Sequence, residues 1–131
     1  MIFVDSNIPM YLVGGTHPYQ ADARRALERA VTAGDRLVTD AEVYQEILHR
    51  YRAIDRPDAI GPCFRILNDI VEDVWPIEHG DTVAASEILL SHWALSARDA
   101  LHVAVMRRRE IARVLSYDRG FDAVPGLERI G

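Results

Sequence analysis

Four acidic residues stand where a folded α/β domain could bring them together. Asp5 directly follows the apolar run Ile2–Val4, and the other three are Glu46, Asp99 and Asp118. A carboxylate at the edge of an apolar core costs free energy unless a cation or hydrogen bonds compensate it. Carboxylates held close together also repel one another, so one or more become protonated unless a cation lies among them.

The cation that best suits such a cluster is Mg²⁺ or Mn²⁺, because these hard ions take oxygen ligands from carboxylates and water. One bound ion lowers the pKa of a bound water molecule and orients it. Two ions, ~4 Å apart, also stabilise the leaving oxygen of a phosphodiester. The four acids therefore predict metal-dependent hydrolysis, with one or two ions, provided that they converge.

Three of the four acids also have a purely structural interpretation. Asp99 is the third residue of a capping box that Ser96 would begin. Asp118 lies in a good turn sequence, at residues 117–120. Glu46 could be a solvated helix residue. Asp5 is the hardest to explain in this way, since it follows an apolar strand directly.

The elements that would position these acids are parallel strands. Residues 2–4 lack polar alternation, which is typical of a strand buried on both faces. Three further runs have the pattern of short strands: residues 36–39, 74–77 and 113–116. Ligands of open α/β sheets bind at the carboxyl ends of strands, and Asp5 and Asp118 share that rim if the first and fourth strands are neighbours. Pro76 cannot donate to a ladder, so the third strand is expected at an edge.

Helices are predicted between the strands, which indicates a parallel sheet covered on both faces. Thr39 and Glu42 form a predicted capping box at the start of one helix. That box assigns Glu42 to the helix start and leaves Glu46, one turn further, as the candidate site acid. Ser96 and Asp99 open another helix, which is apolar nearly all round and is expected to be buried in the domain or in a dimer interface.

Composition excludes several classes of chemistry. The 131 residues carry a net charge of −5, and all fifteen basic residues are arginine. Without lysine, neither a P-loop nor a Schiff-base enzyme is possible. Cys63, the single cysteine, argues against a disulfide framework or a cysteine metal site. No apolar stretch approaches the ~20 residues of a membrane span, and Asp5 interrupts any signal-peptide core, so a cytoplasmic protein with no membrane association is expected.

Four segments, in order along the whole chain, resemble the acidic blocks of PIN-domain ribonucleases. They are Val4-Asp5-Ser6-Asn7, Glu46-Ile47-Leu48, Asp99-Ala100-Leu101-His102-Val103-Ala104, and Ser116-Tyr117-Asp118-Arg119-Gly120-Phe121-Asp122. The order of the blocks and the length of the chain are most similar to VapC-type toxins of bacterial toxin–antitoxin pairs.

This resemblance implies one PIN domain over residues 1–131, an α/β three-layer sandwich. Its central parallel sheet would have the order 3-2-1-4-5 with helices on both faces, which agrees with the edge position that Pro76 indicates. The resemblance also implies divalent-metal-dependent cleavage of RNA with Mg²⁺ or Mn²⁺ as cofactor. The implied partners are a second copy of the chain, in a homodimer, and a small cognate VapB-like antitoxin that inhibits the toxin.

By the same resemblance, four acids would hold the metal ion: Asp5, Glu46, Asp99 and Asp118. Ser6 or Asn7 would supply a hydroxyl or amide beside it. Asp122 is a possible extra acid, although it could simply cap or solvate a turn. His102 lies three residues after Asp99, on the same helix face. A ligand or proton-transfer role is conceivable for His102, and a packed, hydrogen-bonded histidine is the alternative.

RNA would have to approach an acidic cleft, so arginines must line its rim. Arg98 and Arg119 are the better candidates because they neighbour two of the acids, and Arg24 and Arg25 lie together on a predicted helix. The alternative is that these arginines belong to solvated faces.

Two other functions fit part of the pattern. One is a non-catalytic PIN-like interaction module whose acidic pocket binds an arginine of a partner. The other is a phosphoryl-transfer domain of receiver or haloacid-dehalogenase type, which also has an aspartate after its first strand. The second resembles the chain only at that point, and it uses a lysine that the chain lacks.

Overall fold

Five short parallel strands form one sheet, and their order in the sheet differs from their order along the chain. The computed structural model describes residues 1–14 and 17–131. In chain order the strands are β1 (Ile2–Val4), β2 (Leu37–Asp40), β3 (Asp73–Trp75), β4 (Arg113–Leu115) and β5 (Glu128–Ile130). Their order in the sheet is β3-β2-β1-β4-β5. The α/β class and the strand order that the resemblance implied are confirmed.

Strand β1 lies at the centre of this sheet. Phe3 pairs with Val38 of β2 on one side and with Val114 of β4 on the other. Phe3 is fully buried, as expected for an apolar run covered on both faces. Because all the strands are parallel, their carboxyl ends meet at one edge, where Asp5 follows β1 and Ser116 follows β4.

Helices cover both faces of the sheet. They are α1 (Asn7–Val13), α2 (Gln20–Thr32), α3 (Ala41–Ala53), α4 (Pro57–Ile70), α5 (His79–Ser91) and α6 (Ala97–Arg108), and a short 3₁₀ helix, Arg119–Ala123, follows β4. Right-handed crossovers place α1 to α4 on one face and α5 and α6 on the other. The contacts of α1 with α2 and α4, and of α5 with α6, agree with this arrangement. No helix in the described part of the chain is long and apolar enough to cross a membrane.

The start of α3 differs from the sequence prediction. Strand β2 extends to Asp40, which pairs with Trp75 of β3. Thr39 is therefore buried within the sheet, where its hydroxyl donates to the carbonyl of Val4 at 2.9 Å. Asp40 caps the helix instead, since its Oδ1 accepts the N–H of Val43 at 3.0 Å. The predicted Thr39 capping box is wrong because the strand continues one residue further than its apolar pattern.

Helix α6 and the edge position of β3 agree with the sequence prediction. Ser96 caps α6, and its hydroxyl accepts the N–H of Asp99 at 3.0 Å. Helix α6 is buried on most of its surface, as its apolar sequence indicated. Strand β3 lies at the edge of the sheet, but it covers Asp73–Trp75 and not the predicted residues 74–77, so Pro76 lies just after the strand and not within it. The edge position of the third strand is confirmed.

Candidate metal centre

A pocket of about 420 Å³ opens at the carboxyl ends of the central strands. We call it the acidic pocket, and its lining consists of Asp5, Ser6, Asn7, Glu46, Ser96, Ala97, Arg98, Asp99 and Asp118. One carboxylate oxygen each from Asp5, Glu46 and Asp99, with a ring nitrogen of His102, all lie within 4.8 Å of one another. The fold thus brings together acids from three distant parts of the sequence.

Asp5 forms the floor of the acidic pocket and is almost completely buried. Its Oδ1 accepts the backbone N–H of Ser6 at 2.8 Å, and its Oδ2 accepts the hydroxyl of Ser116 at 2.6 Å. Burial raises the pKa of Asp5 and the charge of Glu46 adds to the rise, while the charge of His102 and the hydrogen bonds oppose it. The carboxylate is therefore held in one orientation, yet its charged form lacks full compensation.

His102 joins two carboxylates inside the protein. It is fully buried on α6, with Nδ1 2.8 Å from Oδ2 of Asp40 and Nε2 2.5 Å from Oε1 of Glu46. Burial alone would lower the pKa of His102, but the charges and hydrogen bonds of Asp40 and Glu46 outweigh it and raise the pKa well above its ordinary value. The ring is then an imidazolium, the form that donates from both nitrogens.

Of the three hydrogen-bonded residues Asp40, His102 and Glu46, Glu46 is the one that lines the acidic pocket. Its Oε2 accepts the hydroxyl of Ser6 at 2.7 Å, while its Oε1 faces His102. Burial would raise the pKa of Glu46, but the hydrogen bonds and charge of His102, with the bond from Ser6, hold it below its ordinary value. Glu46 is thus kept ionised and fixed in position at the edge of the pocket.

The same contacts decide how His102 can act. A metal ligand needs an unprotonated ring nitrogen, and both nitrogens of His102 face carboxylates. The contacts favour a packed, hydrogen-bonded histidine over a metal ligand, and Glu46, one of its two partners, lines the acidic pocket. Sequence reasoning missed Asp40, the other partner. The available signal was its position at the carboxyl end of the strand beside β1, on the same rim as Asp5.

Asp99 enters the acidic pocket from the first turn of α6 and is almost entirely buried. Burial, a hydrogen bond with the carboxyl of Asp118 and the charge of Asp5 raise the pKa of Asp99 to about 8. Asp118 is exposed at the edge of the pocket, and its Oδ1 accepts the N–H of Gly120 at 2.8 Å. Asp118 therefore stabilises a turn and lines the pocket at the same time.

Ser116 is a second residue that sequence reasoning did not assign to the site. Its hydroxyl donates to Asp5 and accepts the N–H of Asp118 at 3.0 Å. The side-chain amide of Asn7 donates to the Ser116 hydroxyl at 3.2 Å and lies 3.4 Å from Asp5 Oδ2. These bonds connect the ends of β1 and β4. The available signal was the place of Ser116 at the end of a buried strand, two residues before Asp118.

The predicted arginines lie at different distances from the acids. Arg98 lines the acidic pocket, and its Nε is 3.9 Å from Oε1 of Glu42. Arg119 is exposed and directly follows Asp118, whereas Arg24 and Arg25 are exposed on α2. Arg98 is thus the one of these four that the structure places in the pocket wall.

Asp122, the possible extra acid, makes a different contact. Its Oδ1 accepts a hydrogen bond from Nε of Arg129 on β5 at 2.9 Å, and it is half exposed. This bond and the charge of Arg129 hold the pKa of Asp122 below its ordinary value. Among the described residues, Asp122 is outside the set that lines the acidic pocket.

The donor set of the acidic pocket fits a hard divalent cation. Asp5, Glu46 and Asp99 offer carboxylate oxygens, the ligands that Mg²⁺ and Mn²⁺ prefer. Burial raises the pKa of both Asp5 and Asp99, so a nearby positive charge would favour their ionised forms. Among the described residues of the cluster, the side chains left to bind an ion are the carboxylates of Asp5, Glu46 and Asp99, once His102 is held by Asp40 and Glu46.

Comparisons with known proteins give a family. The PIN domain profile matches residues 2–127. The chain is 57% identical over 130 residues to ribonuclease VapC13 of Mycobacterium tuberculosis, covering 99% of each protein.

Two solved structures, both under 25% identical, show the fold. One is VapC20 of M. tuberculosis, described as a sarcin-ricin loop cleaving toxin, with 24% identity, a TM-score of 0.76 and 94% of each chain covered. The other is a toxin–antitoxin complex from Klebsiella pneumoniae, with 15% identity, a TM-score of 0.70, and 100% of this chain and 97% of that chain covered. From the profile and the identity to VapC13, the chain belongs to the PIN-domain family, among the VapC ribonucleases.

Proposed function

We propose that this protein is the toxin of a type II toxin–antitoxin pair, a divalent-metal-dependent endoribonuclease that hydrolyses RNA phosphodiester bonds with an activated water molecule. It acts in the cytoplasm, and residues 1–131 form its single PIN domain. The observation that carries the proposal is the convergence of Asp5, Glu46 and Asp99 within 4.8 Å. The 57% identity to VapC13, which is named a ribonuclease, supports RNA as the substrate.

Asp5, Glu46 and Asp99 would hold Mg²⁺ or Mn²⁺, with Asp118 at the open edge of the acidic pocket. The chemistry that such an ion supplies is activation of water and stabilisation of negative charge on the phosphodiester. The protein contributes the positions of the ligands. Ser6 and Ser116 hold Asp5 through the hydrogen bonds described above, and Ser6 also binds Glu46.

Arginine side chains would bring the polyanionic substrate to a pocket of like charge. Arg98 is already in the pocket wall, where its side chain is 39% exposed and its guanidinium group can donate to a phosphate. Arg119 is exposed next to Asp118 and extends this positive edge. Arg24 and Arg25 on α2 would contact RNA further from the cleaved bond.

We also propose a cognate VapB-like antitoxin and a homodimer. The similarity of the fold to the K. pneumoniae toxin–antitoxin complex supports an antitoxin partner. Helix α5 supports a dimer, since it exposes 49% of Val83 and 76% of Leu90, and Trp93 just beyond it is 75% exposed. Large apolar side chains exposed together are typical of protein interfaces.

Cleavage of RNA by purified protein in Mn²⁺ tests the activity. Wild-type protein should cleave, EDTA should stop the reaction, and Asp99→Asn should reduce the rate by at least about a hundredfold through loss of a metal ligand. Asp58→Asn is the matched control, because Asp58 is exposed on α4 and pairs with Arg56. Growth arrest on expression should follow the same pattern.

The competing function gives a different result. A non-catalytic module whose acidic pocket binds a partner arginine would not cleave RNA in Mn²⁺, and its thermal stability would be the same with and without the ion. Normal cleavage by Asp99→Asn would also overturn the mechanism, because one of the three proposed metal ligands would then be dispensable.

A further inference from the structure

Four aromatic rings meet at the protein surface beside the acidic pocket. Tyr11 and His17 are stacked with ring centroids 4.0 Å apart, and Tyr19 and Tyr117 are stacked at 4.6 Å. Tyr11 is also 5.5 Å from both Tyr19 and Tyr117. We call this group the aromatic cluster.

The aromatic cluster is part of the surface, not of the hydrophobic core. Tyr19 is 44% exposed, and Tyr11, His17 and Tyr117 are half-buried. Aromatic side chains gain most from complete burial, so a group of them at the surface is typical of a binding site.

Short connections join the aromatic cluster to the acidic pocket. Tyr11 lies one helical turn after Asn7, which lines the pocket, so the two side chains share a face of α1. Tyr117 directly precedes Asp118, and its backbone N–H donates to Oδ1 of Asn7 at 3.4 Å. Burial is the largest cause of the raised pKa of Tyr11, and Tyr19 and the charges of Asp5 and Asp118 add to it. An RNA strand bound with one phosphodiester in the acidic pocket would pass directly over the aromatic cluster.

Positive charge lies on the other side of the aromatic cluster. Helix α2 begins one residue after Tyr19 and exposes Arg25 and Arg29 beside one surface depression, which Glu28 also lines, and Arg25 pairs with Asp22. Both guanidinium groups are near enough to Tyr117 to oppose the rise in its pKa that burial and Asp22 cause. The surface therefore presents the carboxylates of the acidic pocket, then the rings, then a face of α2 that carries Arg25 and Arg29 together with Asp22 and Glu28. This order fits a nucleotide chain whose bases contact the rings and whose next phosphates contact the arginines.

We propose that the aromatic cluster binds unpaired RNA bases next to the cleaved phosphodiester by stacking on Tyr19 and Tyr117. This inference rests on the proposed ribonuclease function and assigns the side chains that would hold the bases beside the cleaved bond. Bases inside a duplex are already stacked on one another and cannot reach a protein ring, whereas unpaired bases can.

Binding of a fluorescein-labelled single-stranded oligoadenylate, measured by fluorescence anisotropy in EDTA, tests the inference without cleavage. Tyr19→Leu and Tyr117→Leu should each weaken binding about tenfold, because each removes one stacking ring. Tyr19→Phe and Tyr117→Phe keep the ring and should retain wild-type affinity within about twofold. A blunt RNA duplex should bind all five proteins equally. Thermal unfolding checks that each variant is folded, and Tyr19 is exposed enough for its variants to fold.

Kinetics in Mn²⁺ separate this inference from the proposed function. Tyr19→Leu should raise the KM for single-stranded RNA about tenfold and leave kcat within about twofold. If wild type cleaves RNA but both leucine variants bind oligoadenylate normally, the stacking site is wrong while the nuclease stands. If the leucine variants bind RNA normally and lose affinity for the cognate antitoxin, the aromatic cluster belongs to the protein interface and the inference is overturned. If the wild-type protein does not cleave RNA, the proposed nuclease function is wrong, and the binding assay in EDTA still decides whether the rings bind unpaired bases.

Discussion

Nε2 of His102 lies 2.5 Å from Oε1 of Glu46, and the opposite ring nitrogen lies 2.8 Å from Oδ2 of Asp40. A buried cation thus fixes the one acid of the pocket that comes from α3. Side chains that orient metal ligands typically contribute 10- to 100-fold to metal affinity, in rough terms.

We therefore expect His102→Gln to weaken Mn²⁺ binding about tenfold or more, since a neutral amide cannot hold both carboxylates. Isothermal titration calorimetry of Mn²⁺ into metal-free protein measures this affinity. His49→Gln is the matched control, because His49 is exposed on α3. Equal Mn²⁺ affinity in the two variants would contradict a positioning role for His102.

Asp40→Asn tests the contact of His102 on the side away from Glu46 without disturbing helix α3. Asparagine caps helices as well as aspartate, so α3 should keep its start. The lost negative charge should lower the pKa of His102, loosen Glu46 and weaken Mn²⁺ binding in the same direction as His102→Gln. Unchanged affinity, measured by the same titration, would show that Asp40 acts only as a cap.

The metal-free protein should lose stability as pH rises. The pKa of Asp99 is about 8 in the folded protein and 3.8 ordinarily, so between these values the folded state binds the extra proton. The free energy of unfolding then falls with pH, by at most about 1.4 kcal/mol per pH unit for one proton. The stabilisation from His102, whose folded pKa is well above 6.5, is complete below pH 6.5 and is lost as pH rises through that folded pKa.

Thermal unfolding in EDTA between about pH 5 and about pH 8 measures this slope. This range lies above the pKa of Glu46, which is below its ordinary 4.5 and changes stability only at lower pH. Asp99→Asn should flatten the slope, and Mn²⁺ should raise the melting temperature most at the highest pH. A wild-type melting temperature that is constant or rises with pH would refute the raised pKa of the buried Asp99.

Arg98 should act on RNA binding more than on the chemical step. Arg98→Ala should raise KM about tenfold by removal of a charged hydrogen bond to phosphate. It should also reduce the dependence of log affinity on log salt by about 0.7, the value for one phosphate of a single strand. Arg65→Ala, at an exposed position of α4, is the control. An equal change in both variants would indicate a general charge effect.

Sequence reasoning worked best where one residue stands next to a strong local pattern. Asp5 follows an apolar strand, so its place at the carboxyl end of β1 could be predicted from the sequence, whereas Asp99 at the start of α6 was also explained by the capping box of Ser96. The edge position of β3 was predicted both from Pro76 and from the family resemblance, although Pro76 lies just after the strand. Strand β5 carries only three paired residues, Glu128–Ile130, and its order came from the family resemblance and not from its pattern.

The residues that were missed act through contacts distant in sequence. The sequence around Asp40 is typical of a residue that caps a helix, and Asp40 does cap α3, so its second contact had no separate local signal. Its bond to His102 spans 62 positions, which no local pattern reports. Ser116 likewise contacts Asp5 across 111 positions. Such pairs are set by which strands are neighbours in the sheet, so the strand order must be known before they can be recognised.

The position of a bound ion tests the central claim most directly. Crystals of the wild-type protein soaked in Mn²⁺ should give an anomalous difference peak in the acidic pocket, within coordination distance of oxygens of Asp5 and Asp99. Crystals of Asp99→Asn soaked in the same way should show a much weaker peak or none. A wild-type pocket that contains only water at saturating Mn²⁺, or an ion bound elsewhere, would contradict the account.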